Sequence, residues 1–549
     1  MEEGTGVEGR VPEILKKLLE LRGVTAADMS SFLCPSLADL EQPECLPGIV
    51  EAADVIIDAL VARREIVVFG DYDCDGVCAT AILVMTIQAL GGRVRPFLPE
   101  RLSEGYGMSD ASVSRMLSEC PGVSLVVTVD NGINSIRQIA DLKASGLSIV
   151  VTDHHLSGNE LPAADALVNP KVAASPSFAD LCGAGVAFLL ANRLVSEAKH
   201  RGLYSGPNVG GPLLVLAGLA TVTDIMPLVG QNRIIVAEAL KHFGAWAPLG
   251  LKELYSRAAR TGVDRLTSRD FGFLLGPRIN AAGRLASGMD ALDLILETNR
   301  ERVREYALRI DLNNTERKSI EQKMTEDAMG KVVPDAPAQV IDLPDGHPGV
   351  AGIVASRVLE RLGGAVPVCV IASGHGSARS PDGINIRDAF VACDDVLVTY
   401  GGHAAAGGFS VKEGCVDAFR SRLCEYCRGL KVVAPKHVGE PEMWLEPSDA
   451  TLELAEALQS LEPFGEANPE PVFGFRGVKF SDVRPLGSDG RHLSAVLRSS
   501  GLRAVWWGHG EFVEQLRSSC ASPHDITFTL AISEYGERHA ELRLVSVVT

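Results

Sequence analysis

This sequence lacks an excess of basic residues, a long apolar run and a recognisable signal peptide. Basic residues are not in excess: 52 Lys and Arg stand against 70 Asp and Glu, for a net charge of −18. Broad binding of duplex nucleic acid needs a basic surface and is disfavoured, although a narrow basic channel is not excluded. The longest apolar run, residues 211–222, is too short to span a bilayer. The opening residues MEEGTGVEGR do not resemble a signal peptide, so we expect a soluble, cytoplasmic protein with no membrane partner.

The 12 cysteines lack the spacing of a zinc finger. The closest pair, Cys424 and Cys427, forms a single CxxC without a second pair of ligands, and we interpret it as reduced thiols on a helix. Other cysteines lie in apolar surroundings, where cysteine behaves as a small hydrophobic residue. The pattern favours a reducing compartment.

A chain of 549 residues is too long for one core, so we expect a multidomain α/β protein. Apolar, β-rich runs alternate with helical stretches near the start, which indicates a parallel sheet. A long, charged helix over about 290–330 suggests a connector, and short alternating strands after 470 suggest a small antiparallel barrel or sandwich. The predicted segments are an N-terminal helical segment (1–50), a first α/β domain (51–240), a helical connector (241–335), a second α/β domain (336–430), and a linker with a β-barrel (431–549).

Acidic and imidazole side chains follow three successive predicted strands. EIVVFG leads into Asp71, Asp73 and Asp75, SLVVTVD ends at Asp130, and LSIVVTD is followed directly by His154 and His155. Because ligands of open parallel sheets lie beyond the carboxyl ends of the strands, these side chains should converge at one edge. Crowded carboxylates repel each other unless cations lie between them. The oxygen-rich ligand set suits Mn²⁺ or Mg²⁺ better than a thiolate-type zinc site.

Each of these motifs alone has a more ordinary interpretation. A DxDxDG stretch can be a turn or a calcium loop, DNG is usually a turn, and paired histidines are often structural. Their joint placement at consecutive strand ends favours a metal site instead. Two divalent cations about 3.5–4 Å apart are typical of phosphoesterases, in which they activate water and stabilise charge on phosphoryl oxygens.

The sequence resembles the DHH phosphoesterase superfamily and, within it, the RecJ family of bacterial single-strand-specific exonucleases. The resemblance covers most of the chain. It rests on the stretches FGDYDCDG (69–76), VTVDNG (127–132), VTDHH (151–155), ATVTDIMPL (220–228), GPRINAAGR (276–284), HPGVAGIVASR (347–357), GSARS (376–380), GGHAAAGGFS (401–410) and LEPFGEANPEPVF (461–473). GPRINAAGR, the length and the C-terminal barrel favour this family over other superfamily members.

The resemblance implies a DHH catalytic domain, a long connecting helix, a second α/β domain of the DHH-associated type and a C-terminal oligonucleotide-binding β-barrel. It also implies roles for individual residues. The two metal ions would be held by Asp71, Asp73, Asp75, Asp130, His154, His155 and Asp224, with Asp71 as a ligand or a close neighbour of the ligands. Asp224 is included among the predicted metal ligands only because of the resemblance. Asp153 would hydrogen-bond one of the histidines.

The same resemblance suggests how the substrate is held. His403 would face the scissile phosphate, and the Gly-rich run with Gly401 and Gly402 would bring backbone N–H groups near phosphates. The remaining phosphate contacts would be Arg101, Arg278, Ser377 and Arg379. Without the family match, each arginine would be interpreted as a surface ion pair. In the barrel, strand alternation places at least one of Trp506 and Trp507 in the core, and the other could stack on a base.

The activity implied is a processive, metal-dependent 5′-to-3′ exonuclease that degrades single-stranded DNA to mononucleotides in recombination and repair. We expect a monomer that works with a helicase and a single-strand-binding protein. One alternative is another DHH enzyme, acting on short oligonucleotides, cyclic dinucleotides or pyrophosphate. A second alternative is a non-catalytic DHH scaffold protein. The extra C-terminal domain disfavours the first alternative, and the intact ligand set disfavours the second.

Overall fold

A computed structural model describes residues 10–101, 103–105, 107–172, 175–207, 209–259, 266–430, 439–534 and 537–548. Most of the predicted linker around 430–440 lies outside these residues. The chain divides into two compact units. The smaller contains the described residues of Met1–Leu40, Pro227–Glu238 and His437–Thr549, and the larger those of Glu41–Met226 and Ala239–Lys436. No helix in the described part of the chain combines the length and hydropathy needed to cross a bilayer.

A parallel sheet organises the first half of the larger unit. Two helices precede it in the chain, α1 (Arg10–Leu21) and α2 (Met29–Leu33). The next elements are α3 (Ile49–Val61), β1 (Glu65–Phe69), α4 (Cys74–Ala89), β2 (Arg93–Phe97), α5 (Asp110–Glu119), β3 (Val123–Val129), α6 (Ile136–Ala144), β4 (Ser148–Thr152), β5 (Ala166–Val168), α7 (Gly183–His200) and α8 (Gly210–Thr223). The strand order is β2-β1-β3-β4-β5, and every pair is parallel. The three predicted strands are its three central members, and the predicted parallel sheet is confirmed.

Helices fill the middle of the chain. They are α9 (Gly230–Trp246), α10 (Leu249–Ala258), α11 (Ser268–Asp270), a π-helical turn (Phe271–Leu275), α12 (Gly276–Leu285), α13 (Gly288–Leu296) and α14 (Arg300–Met329). The helix expected over about 290–330 is two helices. They separate where the Asn299 side chain accepts hydrogen bonds from the backbone N–H groups of Glu301 and Arg302 and so starts α14. The 30-residue α14 is the predicted long connecting helix.

The rest of the larger unit is a second α/β segment, residues 339–427. Its elements are β6 (Gln339–Leu343), α15 (Pro348–Arg361), β7 (Val368–Ala372), β8 (His375–Arg379), α16 (Ile386–Val391), β9 (Leu397–Gly402), β10 (Ala406–Val411) and α17 (Val416–Cys427). The strand order is β6-β7-β8-β10-β9, in which only β6 and β7 are parallel. The Gly-rich run is therefore an antiparallel hairpin, β9–β10, which the sequence did not indicate. Cys424 and Cys427 are free thiols on α17.

The smaller unit is built on a seven-stranded sheet. Its elements are β11 (Met443–Trp444), α18 (Leu452–Leu458), β12 (Phe473–Val478), β13 (Phe480–Leu486), β14 (His492–Leu497), β15 (Arg503–Trp506), α19 (Val513–Ser519), β16 (His524–Ser533) and β17 (His539–Val548). The strand order is β11-β12-β16-β17-β15-β14-β13. Leu18 and Leu19 of α1 are buried in the same core as Phe475 and Phe528. The domain boundaries given above stay predictions.

Candidate active site

The loop after β1 is fixed by backbone hydrogen bonds. Asp73 precedes α4, and its Oδ1 accepts hydrogen bonds from the N–H groups of Asp75 and Gly76, both at 3.0 Å. The two carboxylate oxygens of Asp75 accept from the N–H groups of Gly183 and Ala184 at the start of α7, both at 2.7 Å. Because a helix N-terminus attracts negative charge, α7 holds the Asp75 carboxylate in place by hydrogen bonds that involve no ion.

Asp130 follows β3 in a left-handed backbone conformation, with φ of 60°. Such a conformation costs energy for a residue with a Cβ and is concentrated at functional sites. The start of α7 passes so close that a Cβ on Gly183 would lie 2.5 Å from the Cβ of Asp130. Only a glycine fits there. The Asp130 side chain is 2% exposed and lies at the carboxyl edge of the sheet.

Asp153 organises the histidine pair after β4. Its Oδ1 accepts from the backbone N–H groups of His154 and His155 and lies 2.8 Å from Nδ1 of His155. Its Oδ2 accepts from the N–H group of Ile133 at 2.9 Å. Carboxylates commonly orient metal-binding imidazoles in this way. The role expected for Asp153 matches these contacts.

His154 lies at the centre of the acidic side chains. Its Nε2 is 3.1 Å from Oδ1 of Asp130, 3.6 Å from Oδ2 of Asp75 and 3.7 Å from Oδ2 of Asp224. Asp224 is the residue that caps the carboxyl end of α8. Three overlapping groups have ligand atoms within 4.8 Å of one another and could each hold a metal ion. They are Asp130 with His154 and His155, Asp75 with His154 and Asp224, and Asp71 with Asp73 and Asp130.

Burial and like charge determine the electrostatics of this cluster. Burial raises the pKa of Asp224 to about 9, and the charges of Asp75 and Asp73 contribute to that rise. The pKa values of Asp71 and Asp130 are raised by the same causes. Burial lowers the pKa of His154 to about 4, so its imidazole is neutral at pH 7 and can act as a ligand. Burial also lowers the pKa of His155, but the hydrogen bond and charge of Asp153 outweigh it and the net pKa is raised.

The cluster fits a pair of hard divalent cations. Oδ1 of Asp71, Nδ1 of His154 and Oδ2 of Asp224 are buried, and none has a hydrogen-bond partner among the described residues. A buried polar atom without a partner is costly unless something else binds it. Five carboxylates and two imidazoles form a mainly oxygen ligand set, which Mn²⁺ and Mg²⁺ prefer.

Helix α12 supports the same loop from the other side, a contact that the sequence reasoning missed. Oδ1 of Asn280 accepts a hydrogen bond of 2.7 Å from the N–H group of Cys74, which lies between Asp73 and Asp75. A Cβ on Gly283 would lie 2.3 Å from the carbonyl oxygen of Tyr72, so the helix can approach only with a glycine there. The signal in the sequence is the stretch GPRINAAGR, which enters the sequence analysis only through the family resemblance.

Several arginines gather beside this loop. Burial lowers the pKa of Arg284 to about 10, and the charges of Arg101, Arg317 and Arg379 contribute, so these positive charges are close to one another. The guanidinium of Arg101 lies over the Tyr72 ring, 5.1 Å from its centroid. Arg284 donates to the carbonyl oxygen of Gly349 at 3.0 Å. Arg317 is buried and pairs with Glu321, whereas Arg101, Arg284 and Arg379 are partly buried and form no ion pair with another described residue. A group of guanidinium side chains of this kind is suited to bind an anion such as phosphate.

The predicted phosphate-binding residues fall into two groups. A Cβ on Gly352 would meet Nη2 of Arg379 at 3.2 Å and Oγ of Ser377 at 3.6 Å, which places both side chains on the same face of α15 and beside the arginine cluster. Arg278 instead donates to Oδ1 of Asp311 at 2.8 Å and to the carbonyl oxygen of Leu274 at 2.9 Å. In the described structure Arg278 is thus engaged in an ion pair. Arg284 and Arg317 were not among the predicted residues.

The turn of the β9–β10 hairpin carries His403, which is exposed. Burial lowers the pKa of His403, and the positive charges of His155 and Lys171 lower it further, so the hairpin brings His403 near the histidine pair. A Cβ on Gly402 would lie 2.4 Å from the carbonyl oxygen of Ala406, whereas the space beside Gly401 is open. Gly402 therefore allows the tight turn, and Gly401 leaves room for a ligand.

The sheet and its cluster define the class of protein. Residues 65–208 match the N-terminal domain of the DHH family, and residues 335–429 match the DHHA1 domain. Residues 442–545 match the RecJ OB domain. The chain thus combines a DHH domain and a DHHA1 domain with an oligonucleotide-binding domain, and the predicted fold class is confirmed.

Similar proteins cover nearly the whole chain. The single-stranded-DNA-specific exonuclease RecJ of Dickeya dadantii is 34% identical over 98% of this chain and 96% of its own length. That of Bacillus subtilis is 33% identical over 96% of this chain and 67% of its own length. A crystal structure of RecJ from Thermus thermophilus in complex with Mn²⁺ superposes with a TM-score of 0.82, at 32% identity, over 97% of this chain and 75% of that one. The chain belongs to the RecJ family of single-stranded-DNA-specific exonucleases.

Proposed function

We propose that the chain hydrolyses single-stranded DNA from its 5′ end, releasing mononucleotides, and that the reaction requires two divalent cations, Mn²⁺ or Mg²⁺. The observation that carries the proposal is the juxtaposition of the acidic cluster at the strand ends with the arginine cluster beside it. An acidic cluster suits cations, and a basic cluster suits the phosphates of a DNA strand. A RecJ structure in complex with Mg²⁺, similar to this chain at a TM-score of 0.77, supports the choice of metals.

The acidic cluster would hold the ions. Its ligands are Asp71, Asp73, Asp75, Asp130, His154, His155 and Asp224. When bound, two divalent cations activate water as a nucleophile and neutralise charge on the phosphoryl oxygens. The chain itself fixes the geometry, because Asp75 is held by α7, His155 by Asp153 and the loop by Asn280.

The second α/β segment would hold the DNA, together with arginines from the rest of the larger unit. His403 has a lowered pKa and is neutral at pH 7, and one ring N–H can still donate to a non-bridging oxygen of the scissile phosphate. Ser377, Arg379 and Arg101 would bind the terminal 5′ phosphate, with Arg284 beside them. Arg278 would add a further contact only by leaving its ion pair with Asp311. The backbone at Gly401 and Gly402 would lie along the next phosphate. Binding of the terminal phosphate next to the metal ions supports attack on the bond that follows it.

The oligonucleotide-binding domain favours a long single strand as the substrate over a dinucleotide. Such a domain typically tracks several nucleotides of backbone. A duplex would have to be opened first, so we expect a helicase and a single-strand-binding protein as partners in recombination and repair. We also propose that the enzyme works as a monomer in the cytoplasm.

Strand polarity and metal dependence can be tested together. Single strands labelled at the 5′ or the 3′ end, with a duplex control, are incubated with the protein in Mn²⁺, Mg²⁺ or EDTA. We expect mononucleotides to be released first from the 5′ end, with either metal and not in EDTA. Release from the 3′ end, equal cleavage of duplex, or cleavage of dinucleotides alone would contradict the proposal.

Asp75→Ala tests the metal cluster in the same assay. We expect no turnover by this variant, because a ligand is lost, while its circular dichroism spectrum stays that of the folded protein. Asp58→Ala is the matched control, since the Asp58 side chain lies on α3 and is 75% exposed. Activity in Asp75→Ala would show that the metal ligands are assigned wrongly.

A further inference from the structure

Phe273 is a large aromatic side chain that faces solvent, in a turn packed against the end of α8, where Asp224 lies. It is 70% exposed, whereas its neighbours Phe271 and Leu275 in the same π-helical turn are fully buried. π-Helical turns are rare and are frequent at functional sites. At 70% exposure, the ring of Phe273 is available to a ligand.

The turn is anchored to the helix that carries Asp224. A Cβ on Gly272 would lie 3.5 Å from Cγ1 of Val222, and a Cβ on Gly276 would lie 2.2 Å from Cγ2 of Thr223. Val222 and Thr223 are the last residues of α8, and Asp224 follows them directly. Phe273 therefore lies between two glycines that both touch the residues leading into a predicted metal ligand.

One face of the Phe273 ring has a cationic neighbour. The guanidinium carbon of Arg269 lies 5.5 Å from the ring centroid, within the range of a cation–π contact. Arg269 is itself exposed, and no carboxylate in the described part of the chain forms an ion pair with it. An exposed aromatic ring with an arginine beside it is the pairing that proteins use to stack unpaired bases while they contact the strand's phosphates.

We propose that Phe273, backed by Arg269, is a stacking platform for an unpaired nucleobase of the single-stranded substrate. The occupant is a base near the nucleotide whose phosphate reaches the metal cluster, because the platform and Asp224 are joined through the end of α8. Stacking does not distinguish between bases, since every base has a π face, and so the platform suits an enzyme that degrades any sequence. This inference rests on the proposed function, because the occupant is the single-stranded DNA named there.

The test removes the ring from the protein and the base from the DNA, separately and together. Full-length protein in EDTA, which prevents turnover, binds fluorescent 5′-phosphorylated single strands that carry one abasic site at successive positions. We expect one position at which base removal weakens binding by wild type by about 5- to 100-fold. Phe273→Ala should lose affinity by a similar factor on the intact strand and show no further loss at that position.

Two further variants separate stacking from simple apolar contact. Phe273→Trp should restore both the affinity and the sensitivity to the abasic site, and Phe273→Leu should restore neither. Val333→Ala is the matched control, because Val333 is 53% exposed and lies beyond α14. It should bind like wild type. Since Phe273 is exposed, all of these variants should keep the wild-type melting temperature.

The outcomes separate this proposal from the proposed function. Wild-type affinity in Phe273→Ala, or an equal response of wild type and Phe273→Ala to every abasic site, would overturn the platform even if nuclease activity is found. A position-specific response that disappears in Phe273→Ala would support the platform even if wild type releases no mononucleotides with metal, and in that case only the proposed function fails.

Discussion

The acidic cluster and the arginine cluster in the larger unit both concentrate like charge, but they are held in different ways. The carboxylates of Asp73 and Asp75 are held by backbone N–H groups, at the starts of α4 and α7. Among the arginines, Arg101 lies over the ring of Tyr72, and Arg284 donates a hydrogen bond to the carbonyl oxygen of Gly349. Asp73, Asp75, Arg101 and Arg284 are thus positioned by neutral groups of the protein, whereas Arg317 pairs with Glu321. The charge that remains in each cluster is left to be balanced by a ligand of opposite sign.

The clusters differ in how far each can reduce its own electrostatic repulsion when no ligand is bound. Most of the acidic cluster is buried, although Asp73, His155 and Asp224 are partly exposed. Protonation relieves its repulsion, as the raised pKa values of Asp71, Asp130 and Asp224 indicate. Arginine keeps its charge at any physiological pH, so the basic cluster has no such relief. The acidic cluster should therefore respond to metal and to pH, and the basic cluster mainly to phosphate.

In the comparison of the two clusters, the largest effect should come from Asp224→Asn, which replaces an ionisable metal ligand of the acidic cluster with a neutral amide. We expect turnover to fall on the order of 10³-fold, because a metal ligand is lost. The metal-free variant should nevertheless melt at a higher temperature than metal-free wild type at pH 7, since Asn needs no proton, whereas Asp224, with a pKa of about 9, must take one up on folding. Nuclease assays and thermal melts with and without Mn²⁺ measure both effects.

Asp58→Asn controls for the loss of charge in general, because the Asp58 carboxylate lies at the surface. Mn²⁺ should raise the melting temperature of wild type and of this control more than that of Asp224→Asn. Equal stabilisation of all three by Mn²⁺ would mean that Asp224 is not a ligand.

An intermediate effect should come from Arg379→Ala in the basic cluster. We expect the preference for a 5′-phosphorylated strand over a 5′-hydroxyl strand, measured as the ratio of kcat/KM values, to fall about 10- to 150-fold, because a charge-assisted hydrogen bond of about 1.5–3 kcal/mol is lost. Arg379→Lys should recover part of the preference, because the charge remains without the bidentate fork.

Arg422→Ala is the matched control for the basic cluster, since Arg422 lies on α17 and pairs with Asp395 at the surface. Its preference for the 5′ phosphate should be that of wild type. An Arg379→Ala enzyme with an unchanged preference would remove Arg379 from the terminal phosphate site.

The smallest effect, a shift of a few degrees in melting temperature, should be seen when pH is varied without metal. Asp224 titrates at a pKa of about 9 when folded and near 3.8 when unfolded, so between these values the folded state binds more protons and stability falls as pH rises. His154 acts in the opposite direction, but only between its pKa of about 4 and its ordinary 6.5. The fall should therefore be clearest between pH 6.5 and 9.

Mn²⁺ should flatten this pH dependence, because the ion stabilises the ionised carboxylates that protons otherwise neutralise. Thermal melts at constant ionic strength across that range provide the measurement. A melting temperature that rises with pH in the metal-free protein would mean that the carboxylates are not crowded as the structure describes.

The parts of the site that could be predicted are those set by local chain direction. Asp71, Asp75, Asp130 and His154 follow strands of a parallel sheet, and parallel strands end at the same edge. Asp224 could not be derived in this way, because it follows a helix and reaches the cluster only through packing. The roles assigned to these residues stay predictions.

The basic cluster could not be derived from local pattern, because it depends on contacts between distant segments. Arg101, Arg284, Arg317 and Arg379 are widely separated along the chain, and each alone is consistent with a surface ion pair. Parts of the fold were missed for related reasons. Strand β2 has the sequence RVRPF, in which two arginines and a proline obscure the strand pattern. The β9–β10 hairpin is rich in glycine, which strands usually avoid.

The bond between Asp75 and the start of α7 has a consequence for how the enzyme is switched off. Because backbone N–H groups orient this ligand, the Asp75 carboxylate keeps its position when the ion is lost. Reactivation after chelation then requires only diffusion of an ion into a ready site, with no refolding step. The enzyme should regain full activity as fast as metal is returned, and repeated cycles of chelation and metal addition should leave no inactive fraction.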